Sequence, residues 1–541
     1  MDEDWPAVPD GYFRRFDAEV ETLDPVAVTD DASEAVVTKL FDTLYTTESG
    51  TEPEPCLATE IERDGSTLVV DLREDVSFHD GKSLTASDVV YTFERIAASP
   101  ASERQSYLLD DLGVTHETDD GAYVPGSLGV TARDRSTVLL ERDGGTADPE
   151  QVLSHPTFSV VPDGRVDDVP GVDGAVSQET FAREPVGTGP FELETWESPV
   201  DGGTGHVAVS RFDSYHGDGP LIEGVSWVTN ADGDERYRHI QAGTVDATGT
   251  PDSNFDESLV TVDRTDDLGR EHGTYGPMEN EETLGYVRVP TLGSFYVGFD
   301  TDAVPRPIRR AVADVLNQHV EATEAFGASY EPAYHLCGPA SVSDADRLDS
   351  HTEAYPYGVD ERRFDDARER VAQLGHDPED PYELRFTTQY TQDWSLLSDQ
   401  LTDDLASVGI DLVTDVVDAV EKRERHTAGE LEMFLDGWIA DWPTLHNKLR
   451  PLSPADGDWP EDTSVEAAWQ ELTTADSDSD DALEAALRVE ELNWETVTLL
   501  PLYHYYSDNI WHDHVDFQVP GPLGLRRAKH THVSLGDRRT E

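Results

Sequence analysis

Residues 67–96 read TLVVDLREDVSFHDGKSLTASDVVYTFERI and change their hydrophobic period partway along. The first six residues place an apolar side chain at every second position, which predicts a strand with one buried face. A turn follows at Gly81, and Thr85 then precedes a helix in which Asp88 is the capping-box partner. The apolar stripe of this helix consists of Val89, Val90, Phe93 and Ile96. A strand, a turn and a helix in so short a segment indicate an α/β chain.

Six further segments extend the pattern over nearly the full chain. They are residues 21–25 (ETLDP), 40–45 (LFDTLY), 185–191 (PVGTGPF, followed by Trp196), 238–246 (RHIQAGTVD), 295–301 with the helix from Arg309, and 437–442 (GWIADW). In this order, together with residues 67–96, they resemble the motifs of the extracytoplasmic solute-binding proteins that serve peptide and nickel ABC importers. The motif of that family that residues 67–96 resemble reads "LR..V.FHDG..LTA.DVVYTF".

The resemblance implies an α/β, two-lobed periplasmic-binding-protein-like fold of the peptide-binder class, with an extra subdomain in the first lobe. We expect lobe 1 to comprise residues 1–44, 166–289 and 500–541, the subdomain to span 45–165, and lobe 2 to span 290–499. The chain would cross between the lobes near residues 285–292 and 498–504.

Periodicity supports the α/β class independently of the resemblance. From about residue 290, predicted strands at 294–299, 382–388 and 410–416 alternate with helices at 307–320, 364–374 and 396–408. This alternation predicts parallel strands with covering helices. The acidic stretch 251–283 has no clear period and is expected to be a surface loop or an insertion.

The chain is strongly acidic, with 113 acidic against 39 basic residues and a formal net charge of −74. Its lysines are Lys39, Lys82, Lys422, Lys448 and Lys529. Dense carboxylates along the whole chain favour a surface adapted to high salt, where screening weakens their repulsion. A site for cations or basic ligands is the alternative interpretation. No basic stripe is present that could neutralise phosphates, so we do not expect a nucleic-acid partner.

Cysteine content and apolar runs limit the remaining classes. Cys56 and Cys337 fall in different expected lobes, where a bridge would restrict a hinge, and we expect both to be unpaired. No run approaches the roughly 18 apolar residues of a membrane span. The start, MDEDW, has no basic or apolar leader and no lipid-accepting cysteine. Either the chain lacks a leader and the protein is extracytoplasmic at the cell surface, or it stays in the cytoplasm.

Catalytic and metal motifs give little support for an enzyme. The sequence contains no GxSxG, HExxH, P-loop or CxxC motif. The run 476–480 resembles a calcium loop but lacks the required glycine and glutamate. His512 and His514 could place two imidazoles on one strand face, although such pairs are more often surface features. We therefore expect no catalytic residues, no bound metal and no cofactor.

Ligands of open α/β lobes bind beyond the carboxyl ends of strands, and two such ends can be identified. The first follows a strand predicted at 431–435 and presents Asp436, Gly437, Trp438, Asp441 and Trp442. The second follows the strand at 382–388 and presents Gln389, Tyr390, Asp393 and Trp394. These aromatic side chains suit a cleft for an amphipathic ligand, although each could equally pack in a core.

The resemblance adds roles to individual residues. In peptide-binding relatives the aspartate of the "aDy" segment pairs with the α-ammonium of the ligand, and Asp441 is the matching residue. Glu19, Glu21 and Thr22 match the loop that lines the opposite wall of the cleft. The chain continues from Asp441 as WPTLH, and His446 leaves room for a metal chelate.

The expected function is therefore the capture of a short peptide by hinge closure and its delivery to the ABC permease subunits, by a protein that is monomeric. A nickel or metallophore complex is the alternative ligand. An intracellular ligand sensor with the same fold is the alternative role.

Overall fold

The strand, turn and helix predicted for residues 67–96 are present in a computed structural model of the protein. Strand β5 spans Thr67–Leu72 with alternating burial, and helix α2 spans Ala86–Ala98. The carboxylate of Asp88 accepts hydrogen bonds from the backbone N–H of Thr85 at 2.7 Å and from its hydroxyl at 2.8 Å. The structure describes residues 8–47, 51–145, 148–199, 203–230, 233–249, 255–321, 330–342, 345–389, 392–455, 457–460, 464–475 and 479–538.

The chain forms two compact units. Unit 1 comprises Met1–Val289 and Asp508–Glu541, and unit 2 comprises Pro290–Ser507. Two long strands carry the chain from one unit to the other: β16, Leu284–Phe299, and β21, Leu499–Trp511. The units meet in the chain at Val289/Pro290 and at Ser507/Asp508, and the crossings near 285–292 and 498–504 stay a prediction.

The other strands and helices of unit 1 are mostly short. The strands are β1 Tyr12–Asp17, β2 Tyr45–Thr46, β3 Glu54–Pro55, β4 Ala58–Asp64, β6 Thr118–Asp119, β7 Ala122–Tyr123, β8 Val130–Ala132, β9 Thr137–Glu141, β10 Phe191–Glu197, β11 Gly205–Arg211, β12 Gly224–Thr229, β13 Ala247–Gly249, β14 Val260–Thr265, β15 Glu271–Tyr275, β22 Val515–Asp516 and β23 Ser534–Leu535. The helices are α1 Asp31–Leu40, α3 Pro149–Val152, α4 Gln178–Arg183 and α5 Gly233–Gln241.

Unit 2 alternates strands with helices, as predicted. Its further strands are β17 Tyr330–Pro332, β18 Tyr382–Gln389, β19 Ile410–Val417 and β20 Met433–Ile439. Its helices are α6 Arg306–Val315, α7 Gln318–Glu321, α8 Ala345–Thr352, α9 Phe364–Ala372, α10 Gln392–Ala406, α11 Ala419–Thr427, α12 Leu445–Lys448, α13 Glu466–Thr474 and α14 Asp480–Thr496.

The main sheet of unit 1 has the order β10-β11-β12-β1-β13, and the end of β21 pairs with β13. Strand β1 runs parallel to β12 and β13, whereas β10, β11 and β12 are antiparallel. Helix α1 packs its apolar face into the core of this sheet, where Val36, Val37 and Leu40 are fully buried.

The prediction that 251–283 is a surface loop is wrong for Val260–Thr265 and Glu271–Tyr275, which are strands. Strands β14 and β15 form an antiparallel hairpin, and β15 pairs with the first part of β16. Strand β14 is exposed along nearly its whole length. Because it has no buried face, its sequence lacks the alternation that marks a strand. Residues 251–254 lie outside the described ranges.

Residues 45–165 contain a sheet of their own, with the order β4-β5-β9-β8. Among the described residues this sheet shares no strand with the larger one. We propose that this part of unit 1 is the extra subdomain.

The sheet of unit 2 has the order β16-β20-β18-β19. Strand β18 runs parallel to β19 and β20, which confirms the prediction from strand–helix alternation. The pairing of β16 with β20 is antiparallel, contrary to that prediction, because β16 enters as a crossing strand rather than through a helix.

Lysine and thiol side chains lie mostly inside the protein. Lys39, Lys422, Lys448 and Lys529 are buried, and Lys82 is exposed. Cys56 and Cys337 are both buried and unpaired, as predicted, and they belong to different units. Within the described part of the chain, none of the helices has the length and apolar character of a membrane span.

Candidate functional site

The first predicted strand end is displaced along the chain. Strand β20 does not end at Leu435 but continues to Ile439, so Asp436, Gly437 and Trp438 lie within it, opposite β16. A Cβ atom at Gly437 would stand 2.6 Å from the ring of Phe295. Asp-Gly normally interrupts a strand, but here the ring of the neighbouring strand fills the space beside the glycine. Residues 436–448, from the end of β20 through α12, are called the strand-end segment below.

Asp441 lies just beyond the carboxyl end of β20 and is buried. Its backbone N–H donates to Oδ1 of Asn447 at 2.9 Å. The backbone oxygen of Asn447 accepts a hydrogen bond from the indole N–H of Trp438 at 2.7 Å. Asn447 therefore holds the segment closed on both sides of Asp441. Nothing in the sequence marked this residue, since its role depends on the return of the chain at α12.

The two tryptophans of the segment differ in exposure. Trp442 is 0% exposed, so its ring packs in the core, which was the alternative to a place in the cleft. Trp438 is half-buried and packs against the apolar cluster of α13 and α14. Of the two rings, Trp438 is therefore the one that retains surface beside Asp441.

His446 is half-buried, and burial together with the guanidinium of Arg450 lowers its pKa to about 4. Its Nε2 atom is buried and has no hydrogen-bond partner among the described residues. At neutral pH this imidazole is uncharged, with one ring nitrogen available to a hydrogen-bond donor or a metal ion.

Lys448 ties the segment to β16. Its buried ammonium donates to the carbonyl of Leu292 at 2.7 Å and to Oγ of Ser294 at 3.0 Å. Burial lowers the pKa of this lysine to about 7. Nothing in the sequence marked Lys448 as a site residue, except that lysine is rare in this chain.

The predicted residues of the second strand end are described only in part. Strand β18 ends at Gln389, as expected. Tyr390 lies outside the described residues. Asp393 and Trp394 belong to α10, but their side chains lie outside what the structure describes. Their contact with a ligand stays a prediction.

The loop 18–30 of unit 1 carries the other predicted binding residues. Glu19 and Glu21 are exposed, and Thr22 is half-buried. The backbone N–H groups of Glu21 and Thr22 donate to Oγ of Ser33, at 2.9 and 3.2 Å. The loop backbone is thereby fixed on the first turn of α1, while its two carboxylates extend into solvent.

A buried ion network fixes the end of the same loop. Arg95 donates from Nη1 and Nη2 to the carboxylate of Asp24, at 2.7 and 2.6 Å. Its Nε donates to Asp168 at 3.0 Å, and the side chain of Arg95 is fully buried. Asp24 is the aspartate of the 21–25 motif, so this motif acts by holding the loop.

The motifs at 40–45, 67–96 and 185–191 meet in unit 1. Nδ1 of His79 accepts a hydrogen bond from the N–H of Gly187 at 3.3 Å, and its Nε2 lies 3.1 Å from the carbonyl of Gly189. The carboxylate of Asp42 accepts from Thr188 at 3.0 Å. It is also bonded to His216 and to the ammonium of Lys529. Asp42, His79, Thr188, His216 and Lys529 are called the hub below.

The hub does not suit a metal ion. Within the described ranges, one group of side chains lies close enough together to share a metal ion. It consists of Asp42, Cys56 and His216. The ammonium of Lys529 already lies between Asp42 and Cys56, 3.5 Å from Sγ of the cysteine. Burial raises the pKa of the thiol to about 12, which opposes the thiolate that a metal requires.

The histidine pair at 512 and 514 has structural partners. His512 contacts the carbonyl of Ile240 at 3.0 Å, and His514 contacts the carboxylate of Asp246 at 2.9 Å. Arg538 also binds Asp246, at 2.6 Å. These contacts accord with a structural role. Part of the acidic run at 475–481 lies outside the described residues.

Comparison with known proteins places this chain in a family. Residues 52–459 match the model of the bacterial extracellular solute-binding proteins, family 5. The glutathione-binding protein GsiB of Escherichia coli K12 is 24% identical over 513 residues, which cover 91% of this chain and 85% of that protein.

Two solved structures show the same fold. OppA of Haemophilus influenzae, in complex with the peptide RPPGFSPFR, superposes with a TM-score of 0.73 at 16% identity, covering 97% of this chain and 99% of that one. The murein tripeptide binding protein MppA of Escherichia coli superposes with a TM-score of 0.74 at 16% identity, covering 97% and 98%. The fold is thus that of the two-lobed periplasmic solute-binding proteins. The chain belongs to the family 5 extracellular solute-binding proteins, which are the solute-binding components of ABC importers.

Proposed function

We propose that this solute-binding protein captures a short peptide whose α-ammonium pairs with Asp441. The observation that carries the proposal is the position of this carboxylate, buried just beyond the end of a central strand and held through its backbone by Asn447. A site held in place before the ligand arrives loses little entropy on binding. A charge-assisted pair that is shielded from solvent is a strong anchor.

The relatives support a peptide as the ligand. GsiB binds glutathione, and the OppA and MppA structures concern a nonapeptide and a murein tripeptide. In our proposal the half-buried ring of Trp438 contacts the ligand beside Asp441. The buried ring of Trp442 supports the strand-end segment that carries Asp441. Glu19, Glu21 and Thr22 contribute from unit 1, and Tyr390 and Trp394 contribute from the second strand end.

The proposal extends to place and partners. Members of this family act outside the cytoplasm, and we propose that the protein works at the cell surface as a monomer. It would bind without turnover and pass its ligand to the permease subunits. It would have no nucleic-acid partner, because its charge is strongly negative.

The test is the affinity of Asp441→Asn for a peptide, measured by titration calorimetry. Truncating one partner of a desolvated charge pair costs ~2–5 kcal/mol, or roughly thirty- to several-thousand-fold in affinity. Asp411→Asn, on an exposed position of β19 in the same unit, is the matched control and should change affinity little. The peptide is first identified by native mass spectrometry of the purified protein.

An N-acetylated version of the same peptide gives an independent reading, because it lacks the ammonium. It should bind the unchanged protein as weakly as the free peptide binds Asp441→Asn. If both affinities equal that of the starting pair, Asp441 is not the anchor.

A second candidate is a metal chelate, favoured by the neutral imidazole of His446 with its unpartnered Nε2. An imidazole nitrogen of this kind is a good ligand for nickel. His446→Gln should then abolish binding of a nickel chelate while peptide binding persists. Equal binding of the chelate by both proteins would exclude this candidate.

A further inference from the structure

Unit 2 contains a cavity of about 680 Å³, a size typical of small-molecule sites. All of its lining residues belong to this unit. None of the residues assigned above to the peptide lines it. The cavity is therefore a candidate for a second site, separate from the one in the proposed function.

The floor and the rim of this cavity differ in chemistry. The floor consists of buried rings, namely Tyr334, His335, Tyr355 and His504. The rim carries four exposed carboxylates, those of Glu331, Asp349, Glu353 and Glu361. One guanidinium lines the cavity, that of Arg363, and its Nε donates to Glu361 at 2.6 Å. Aromatic faces below and carboxylates above attract a cation.

His504 supplies a second, independent observation. This residue is only 8% exposed, and its Nδ1 has no hydrogen-bond partner among the described residues. The ring is hydrogen-bonded to the backbone of Gly293, and burial with the nearby ammonium of Lys448 lowers its pKa to about 3. The imidazole is therefore neutral. With its N–H given to a carbonyl, Nδ1 is left as an acceptor without a donor.

A second histidine of the floor, His335, also offers its Nδ1 atom as an acceptor. Nε2 of His335 lies 2.8 Å from Nδ1 of His351, whose Nε2 lies 3.1 Å from the carboxylate of Glu491. Since the carboxylate can only accept, His351 donates to it and accepts from His335. Nδ1 of His335 is then an acceptor, 3.4 Å from the hydroxyl of Thr352. Both imidazoles of the floor thus bring acceptors, and no positive charge, to the cavity.

A buried acceptor without a partner carries a desolvation cost, which a ligand that donates an N–H would remove. An anion would meet four carboxylates, and a neutral alcohol could donate hydrogen bonds to them but would form no ion pair. We propose that this cavity binds an organic ammonium ion that donates an N–H to Nδ1 of His504 and places its charge beneath the acidic rim.

The test uses 1,4-diaminobutane as the probe, titrated into the full-length protein at neutral pH in concentrated sodium chloride without amine buffers. Butane-1,4-diol and succinate have the same carbon skeleton and serve as the neutral and anionic controls. We expect the diamine to bind saturably and neither the diol nor succinate to bind. No binding of the diamine, or equal binding of the diol, would overturn the proposal.

Variants then locate the bound diamine. His504→Phe keeps the ring but removes the acceptor, and we expect at least a tenfold loss of diamine affinity. Glu353→Gln on the rim should weaken binding several-fold, whereas Glu369→Gln on the exposed face of α9 should not. Unchanged affinity in His504→Phe would overturn the proposal.

Two further variants keep the test decisive. If His504→Phe does not fold, Gly338→Ala replaces it, because a Cβ there would stand 2.9 to 3.2 Å from Nδ1, Cε1 and Cγ of His504 and would displace this ring from its position in the floor. It should reduce diamine binding to a similar extent, and full binding in this variant contradicts the proposal. Asp441→Asn should leave diamine binding unchanged even where it abolishes peptide binding. Loss of diamine binding in Asp441→Asn would place the diamine at the peptide site and refute a separate one.

Discussion

The hub and the strand-end segment both carry family motifs, yet they are built differently. In the hub, the carboxylate of Asp42 is fully buried and bonded to Thr188, His216 and Lys529. In the segment, Nε2 of His446 has no partner among the described residues, and Trp438 retains exposed surface. In the hub the motif residues hold the fold, whereas in the strand-end segment the motif residue Asp441 is the one proposed to meet the solute.

Dilution of salt should have the largest effect, because it acts on the exposed carboxylates of the whole chain rather than on one region. The net charge of −74 produces self-repulsion that concentrated salt screens. Between about 3 M and about 0.1 M sodium chloride we expect circular dichroism to show loss of the folded state. Buried pairs are screened far less, so exposed carboxylates would be the cause. Equal stability at both salt concentrations would assign the charge to another role.

Asp42→Asn should have the next largest effect and tests the hub directly. Removing one partner of a buried ion pair costs ~3–5 kcal/mol in the free energy of unfolding, since it leaves the ammonium of Lys529 buried without its counter-charge. Chemical denaturation in concentrated salt measures the loss. Asp218→Asn, at an exposed position of the same unit, is the control and should change stability by less than about 0.5 kcal/mol. Equal stability of the two variants would contradict the structural role of the hub.

The same residue predicts a pH dependence. The ammonium of Lys529 and the hydrogen bond from His216 hold the pKa of Asp42 well below its ordinary value, against the opposing effect of burial. A carboxyl whose pKa is lowered in the folded state contributes stability above its unfolded pKa of about 4, and this contribution is lost as the pH falls further. Wild-type protein should therefore lose stability in acid more steeply than Asp42→Asn does.

A matched pair of glycines gives the smallest effect. A Cβ at Gly187, near the hub, would stand 2.0 Å from the carbonyl oxygen of Leu40. A Cβ at Gly437, in the strand-end segment, would meet the ring of Phe295 at 2.6 Å, and a ring can move where backbone cannot. Overpacking costs ~1–3 kcal/mol, and we expect Gly187→Ala to lose more than Gly437→Ala. Thermal unfolding of both variants decides the order, and the reverse order would contradict the comparison.

Local patterns predicted much of the fold. The alternation at 67–72 and the capping pair of Thr85 and Asp88 correspond to β5 and α2. The strand at 382–388 and that at 410–416 are each right to within a residue. These elements bury one face, so their sequences carry the period of their structure.

The errors arise where a distant neighbour decides the structure. Strand β20 continues through Asp436 and Gly437 because Phe295 on β16 fills the space beside the glycine. The hairpin of β14 and β15 was missed because an exposed strand needs no apolar alternation. For the site, Asp441 could be identified from its motif, but Asn447 and Lys448 could not, because their contacts form only when α12 returns to the strands.

Because the five lysines differ in burial, their chemical reactivity indicates which unit of the protein has unfolded. In the folded state Lys82 alone of the five presents its amine to solvent, so an amine-reactive dye should label this single lysine. Lys39 and Lys529 become reactive only when unit 1 opens, and Lys422 and Lys448 only when unit 2 opens. Peptide mapping of the dye over time would thus distinguish the unfolding of one unit from that of the other without any engineered label.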